Sequence, residues 1–230
     1  MNLDTYDWNQ VGASLDDYGH APLPGLITAQ QCNELRSLYD HDDAFRSRIV
    51  MARHGFGAGE YKYFAYPLPP MLDDLRASIY RKLAPIANRW NAALKDATHY
   101  PPELRDYTRL CHAAGQTRPT PLMLKYGPGD FNNLHRDLYG EWVFPLQATV
   151  LLSRPSLDFS GGEFVMTESG ASQQRIDVVP LEQGDAVIFT VHRRPCEGRR
   201  GTRQVAMRHG VSHIRDGERY TLGVIFHDAT

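Results

Sequence analysis

The chain has 230 residues and a mass of 26.0 kDa, enough for one sizeable domain with a real core. With 42% hydrophobic and 23% charged residues its composition is that of an ordinary globular protein and by itself picks out no class. A net charge of -2 leaves no global basic field of the kind that drives tight nonspecific nucleic-acid binding, so any anion site must be local.

The opening MNLDTYDWNQ lacks the basic and then apolar run of a secretory signal. No apolar stretch approaches the roughly 20 residues of a membrane span. The expectation is a cytoplasmic protein without a membrane partner. Cys32, Cys111 and Cys196 form no C-x-x-C, which argues against a disulfide framework and against a zinc knot.

In chain order, the first half reads as helical. Thr28 followed by Gln31 is a capping-box pattern, and Ile27, Cys32, Leu35, Leu38 and Tyr39 recur at helical steps behind it. A second helix is predicted after Pro70, with Leu72, Leu75, Ile79, Leu83, Ile86 and Trp90 as its stripe and a bend at Pro85. A third is predicted in residues 101–115, with prolines at its start and glycine at its end.

From about residue 119 the period becomes that of strands. PLMLKY, FPLQATVLL, GEFVMTE, RIDVVPL, DAVIFTV, RQVAMRHGVSHI and RYTLGVIF are separated by the turn signals GPGD, SGG, EQGD, RRGT and RDGE. Consecutive strands without alternating helices argue against a parallel doubly wound sheet and for a jelly roll or sandwich. The fold class expected is mainly β with packed helices (α+β), a jelly-roll core preceded by N-terminal helices. One domain is expected over 1–230, with a mainly helical part in 1–118 and the jelly-roll catalytic core in 119–230.

Within LHRDLYGE (134–141), His-Arg-Asp-Leu resembles the start of a kinase catalytic loop, but Trp142 stands where that loop needs its magnesium-binding Asn. GFGAGE and DFN are also out of place for a kinase. The alternative is that His135 and Asp137 are two metal ligands, on one side of an extended backbone because side chains at i and i+2 point the same way. A ferrous site for oxygen chemistry needs one more imidazole, leaving positions open for cosubstrate and oxygen. His192, His209, His213 and His227 are the candidates. His209 is favoured because RHGVSHIRDGERYTL brings Arg219 onto the following strand. A dicarboxylic cosubstrate that chelates the metal through a 2-oxo acid end needs a cation for its far carboxylate, and guanidinium suits that geometry. Thr221, on the same strand face, adds a hydroxyl.

At these residues the chain resembles the 2-oxoglutarate- and Fe(II)-dependent oxygenases of the prolyl-hydroxylase-like branch. KYGPGDFNNLHRD is similar to that branch's Tyr-x-x-Gly lead-in to H-x-D, SGGEF and QGDAVIF to its following strands, and HGVSHIRDGERYTL to its distal-His and arginine strands. Through RHGFGAGEYKYFAYPLP, LAPIANRWN and CHAAGQTRPTPL the chain also resembles a bacterial oxygenase group predicted to act on damaged nucleic acid. The resemblance implies a double-stranded β-helix with iron held by His135, Asp137 and His209. It implies that Arg219, Thr221 and Tyr126 bind 2-oxoglutarate, that O2 is the second cosubstrate, and that a C–H bond is hydroxylated with release of succinate and CO2. Ascorbate is a possible accessory reductant.

Two stretches bear on the substrate. YKYFAYP (61–67) reads either as a lid that stacks on a base or proline ring, or as a strand with one face on the core. HRRPCEGRRGTRQVAMRH carries Arg193, Arg194, Arg199, Arg200, Arg203 and Arg208 toward His209, as a phosphate-receiving cluster or as a solvated loop. Protein or peptide hydroxylation of the prolyl type is slightly favoured. The alternatives are oxidative demethylation of nucleic-acid bases and a non-catalytic, cupin-like metal-binding jelly roll.

Overall fold

The computed structural model describes residues 3–169, 174–198 and 201–230. Thr28 opens a helix as its capping box predicts: the Gln31 N–H donates to the Thr28 hydroxyl at 3.2 Å and the Thr28 N–H donates to the Gln31 side chain at 2.9 Å. An earlier helix, α1 (Trp8–Tyr18), lay outside the sequence expectations. Asp7 caps it by accepting from the N–H groups of Asn9 and Gln10, and Gly19 ends it in the left-handed region. The Thr28 helix is α2 (Ala29–Ser37), α3 is Pro70–Ala93 and α4 is Leu104–Ala113. All six residues of the predicted α3 stripe are buried, each worth on the order of 2 kcal/mol of transfer free energy. The helix continues through Pro85.

Among the described residues the strands form a seven-stranded, a six-stranded and a two-stranded sheet. The larger runs in the order His20–Leu23, Ala186–Thr190, Leu146–Leu151, Arg219–Val224, Leu122–Tyr126, Glu60–Phe64, Phe45–Val50, antiparallel throughout. The first half is therefore not only helical, since three of these strands precede residue 118. The six-stranded sheet runs Gln174–Val179, Phe164–Ser169, Arg203–Val211, Phe131–His135, Gly57–Ala58, with Arg193–Cys196 also paired to Arg203–Val211. RDGE is largely a short strand, Ile214–Gly217, paired with Phe159–Gly161.

The strand period decides what faces what. In Leu146–Leu151, Leu146, Ala148 and Val150 join the helices in one core cluster, while Leu151 joins Phe164, Met166 and Met207 of the other sheet in a second. The central strands of the larger sheet are covered on both faces, which is why LQATVL, RYTLGV and AVIFT are buried along their whole length. The inner face between the sheets carries Gln147 and Thr149 from one strand and Arg219 and Thr221 from the next. No helix among the described residues is long and apolar enough to cross a membrane.

Candidate metal centre

His135 closes the strand Phe131–His135 and stands in register with His209 of Arg203–Val211, so the two imidazoles meet with ring centroids 4.2 Å apart. Asp137 follows two residues on. Its Oδ1 lies 3.5 Å from His135 Nε2 and its Oδ2 3.3 Å from His209 Nε2. One donor atom from each of the three falls within 4.8 Å of the others. His135 Nδ1 is 2.7 Å from the Asn133 carbonyl, which can only accept. Nδ1 therefore carries the hydrogen, and Nε2 turns its lone pair to the site, as a metal-binding imidazole requires.

The electrostatics suit a cation. Burial pushes the Asp137 pKa up, but His135 and His209 outweigh it and hold the carboxyl well below its ordinary range. Burial lowers the pKa of His209, and the neighbouring His135 lowers it further, which favours the neutral ligand form. For His135 burial acts the same way but contact with Asp137 prevails and raises its pKa. Two imidazoles competing for one buried carboxylate are the donor set a divalent ion would satisfy.

A cavity of about 190 Å³ opens from this group, with Tyr126, Arg219 and Thr221 among its lining residues. Arg219 is 2% exposed, its Nη1 reaches only Thr221 Oγ1 at 3.4 Å, and its Nε has no partner. Among the described residues it makes no ion pair, and burial pushes its pKa down to about 10. A buried guanidinium left without an anion fits the far carboxylate of a dicarboxylic acid. Tyr126 pairs with Arg219 across adjacent strands, its ring 5.8 Å from the guanidinium, and its hydroxyl accepts from Asn132 at 3.3 Å. Gly162, at φ 66, leaves room for the arginine stem, since a Cβ there would come within 2.8 Å of Arg219 Cδ.

The remaining candidates separate. His213 is exposed and packs against Phe131 with its ring tilted, His192 lines a different groove, and His227 is buried with Nδ1 accepting from the Phe144 N–H. Arg136 is exposed and lines the rim of the cavity. YKYFAYP supplies all but the first residue of the strand Glu60–Phe64, and Tyr61 and Tyr63 line the cavity from it. Of the arginine cluster, Arg193 pairs with Asp96 at 2.6 Å and Arg194 with Glu168 at 2.5 Å, while Arg199 and Arg200 lie outside the described residues. Sequence reasoning missed Tyr139 and Gln147, which both hydrogen-bond Asp137.

A mainly β core with a His-Asp-His group beside a buried arginine defines a candidate metal-dependent site. The fold is similar to that of a Pseudomonas putida prolyl-4-hydroxylase, at 16% identity and a TM-score of 0.59 over 97% of this chain and 100% of that one. It is also similar to an oxidoreductase of the 2OG-Fe(II) oxygenase family from Burkholderia pseudomallei, at 16% identity and a TM-score of 0.54 over 100% and 96%. Residues 59–229 match the family Oxygenase-NA, described as an oxygenase catalysing oxidative methylation of damaged DNA, and the chain belongs to this family. It is 48% identical over 167 residues to the uncharacterized protein Rv2227 of Mycobacterium tuberculosis (strain ATCC 25618 / H37Rv), 72% of each chain. Membership makes the protein an oxidoreductase and sets aside the non-catalytic jelly roll.

Proposed function

We propose that His135, Asp137 and His209 hold the ferrous ion of this oxygenase, and that Arg219, with Thr221 and Tyr126, binds the far carboxylate of 2-oxoglutarate. The observation that carries this reading is a buried guanidinium without an ion-pair partner among the described residues, in the same cavity as a His-Asp-His group. Bound iron would supply the centre at which O2 and 2-oxoglutarate become succinate and CO2 while a substrate C–H bond gains a hydroxyl. The chain's own share is orientation and exclusion of water. Arg219 and Thr221 fix one end of the cosubstrate, and Phe164, Phe189 and Leu124 give the cavity a partly apolar wall.

For the substrate we favour a polypeptide side chain of the prolyl type. The likeness to a prolyl-4-hydroxylase fold supports it, as does the engagement of Arg193 and Arg194 with acids rather than with the cavity mouth. The second reading, oxidative removal of alkyl groups from nucleic-acid bases, is supported by the description of the family.

The test is succinate production from 2-oxoglutarate with Fe(II) under air, comparing a proline-rich peptide pool with a methylated single-stranded oligonucleotide. The expected result is production that rises with the peptide pool and disappears in His135→Ala. Stimulation by the oligonucleotide alone would decide for the second reading. An Arg219→Ala protein that keeps metal and binds 2-oxoglutarate as tightly as the parent would overturn the cosubstrate assignment.

A further inference from the structure

Asp137 is held at both ends. Tyr139 Oη donates to Oδ1 at 2.9 Å and Gln147 Nε2 donates to Oδ2 at 2.7 Å. Gln147 is 6% exposed and stands in the strand Leu146–Leu151, whose other members are apolar except Thr149. Its orientation is dictated by chemistry, because an ionised carboxylate only accepts and the amide NH2 must face it. The amide oxygen is then buried without a partner among the described residues. An unpartnered buried acceptor is destabilising, and a residue kept there for packing alone would be served better by Met or Leu. What Gln147 provides that they cannot is the hydrogen bond to Asp137.

Tyr139 belongs to the irregular segment after Asp137, and a second buried amide fixes that segment. Gln116 is fully buried. Its Nε2 shares two hydrogens among the carbonyls of Tyr139 and Trp142, each at 3.0 Å, and of Asp228 at 2.6 Å, while its Oε1 accepts from the Trp142 N–H at 2.7 Å. Gly140, at φ 89, makes this approach possible, since a Cβ there would lie 2.5 Å from Gln116 Cδ. The backbone under Tyr139 is thus tied to the far end of the chain. Its hydroxyl reaches Asp137 from a rigid base.

We propose that Tyr139 and Gln147 are positioning residues that fix the plane of the Asp137 carboxylate before a metal arrives, and that Gln116 holds Tyr139 in place for that task. The inference rests on the reading of His135, Asp137 and His209 as metal ligands. With a donor on each oxygen the carboxylate cannot turn about its Cβ–Cγ bond, so metal binding orders nothing new there. Partners of this kind typically matter 10- to 100-fold in metal affinity.

The experiment uses Co(II) as probe, titrated into the metal-free full chain and followed by calorimetry and by the visible absorption of the bound ion. The variants are Tyr139→Phe, Gln147→Met, both together, and Asp137→Ala. Each single change is expected to weaken Co(II) binding roughly 10-fold, the double change more, with an altered absorption band because the carboxylate is free to turn. The metal-free thermal midpoint of Gln147→Met is expected to stay close to the parent's, since the unpartnered oxygen leaves together with the donor. A purely structural role would lower that midpoint and leave the band unchanged. Single and double variants that bind within twofold of the parent, with the parent's band, overturn the proposal. If Asp137→Ala binds as tightly as the parent, the ligand reading itself fails and this inference with it.

Discussion

Two buried arginines show how differently one side chain is treated in the same fold. Arg76, on α3, is 1% exposed and saturated: its guanidinium donates to the carbonyls of Ile225 and Phe226, to the Tyr66 hydroxyl and to Asp228 at 2.9 Å. Arg219 is as deeply buried and reaches one hydroxyl at 3.4 Å. Burying a charge is tolerable when a counter-charge and hydrogen bonds answer it, as at Arg76. At Arg219 the fold leaves the answer to something else, and the cavity beside it opens onto the His-Asp-His group. A saturated buried cation holds structure, whereas an unsaturated one facing a cavity has donors to spare for an anion.

The largest effect should come from breaking the saturated partner. Asp228→Ala strips Arg76, His112 and Tyr66 of a shared acceptor at once. Removing one member of a buried pair typically costs about 3–5 kcal/mol. Urea denaturation should show that loss, and a cost below about 1 kcal/mol would mean that Arg76 is no anchor.

The buried imidazoles repeat the contrast. His209 turns Nε2 toward Asp137 and the cavity, while His227 is enclosed and neutral, with burial pushing its pKa down to about 4. The unfolded chain protonates this residue near its ordinary pKa of about 6.5, whereas the folded chain stays neutral until about 4. Stability is therefore lost as pH falls through that window, is unaffected above it and loses no more below it. The shift corresponds to roughly 3 kcal/mol. His227→Gln keeps an acceptor for the Phe144 N–H, so its urea midpoint should fall less steeply than the parent's between pH 6.5 and 4. Parallel curves would remove His227 from the account.

How much of this was legible in the sequence follows from the range of each signal. Thr28 with Gln31, and the α3 stripe, are short-range patterns, and both helices formed where they predict. His135 with Asp137, and Arg219 with Thr221, follow strand period over two residues, whereas His209 lies 74 positions after His135 and is joined to them through the pattern of its own stretch and the family resemblance. Phe45–Val50 escaped because FRSRIV is half-buried along nearly its whole length and shows no clean alternation. His20–Leu23 escaped because Pro22 suits only an edge, which is where the strand lies. Gln116 meets Asp228 across 112 positions, and nothing local marks either residue. The arginine cluster shows the same limit: proximity in sequence could not reveal that Arg193 is paired with an acid 97 positions away.

On the proposed assignment, Arg219→Met sharpens the comparison with Arg76 most directly. It removes a buried cation whose own contacts are poor, so stability should hold or rise, opposite in sign to Asp228→Ala. The cosubstrate would lose charge-assisted hydrogen bonds of about 1.5–3 kcal/mol, or roughly 10- to 150-fold in 2-oxoglutarate affinity measured without oxygen. Metal affinity should stay at the parent's value. A variant as unstable as Asp228→Ala would show that Arg219 is structural after all.

Thr221→Val is the smallest and most specific change. Valine keeps the β-branched shape in a strand buried on both faces, so packing is preserved and only the hydroxyl goes. That hydroxyl is the one side-chain hydrogen-bond partner of the Arg219 guanidinium among the described residues, accepting from Nη1, and it lies on the cavity wall. If it only supports the arginine in the empty protein, its loss leaves a buried donor short of a partner and lowers stability without touching 2-oxoglutarate. If it also donates to the bound carboxylate, affinity falls by about 1 kcal/mol, roughly fivefold, in addition to that loss of stability. Thermal midpoints measured with and without 2-oxoglutarate separate the two. We expect the deficit of Thr221→Val relative to the parent to be larger with the ligand present, since the hydroxyl then contributes to binding as well as to the fold; an equal deficit in both conditions would confine Thr221 to support of Arg219.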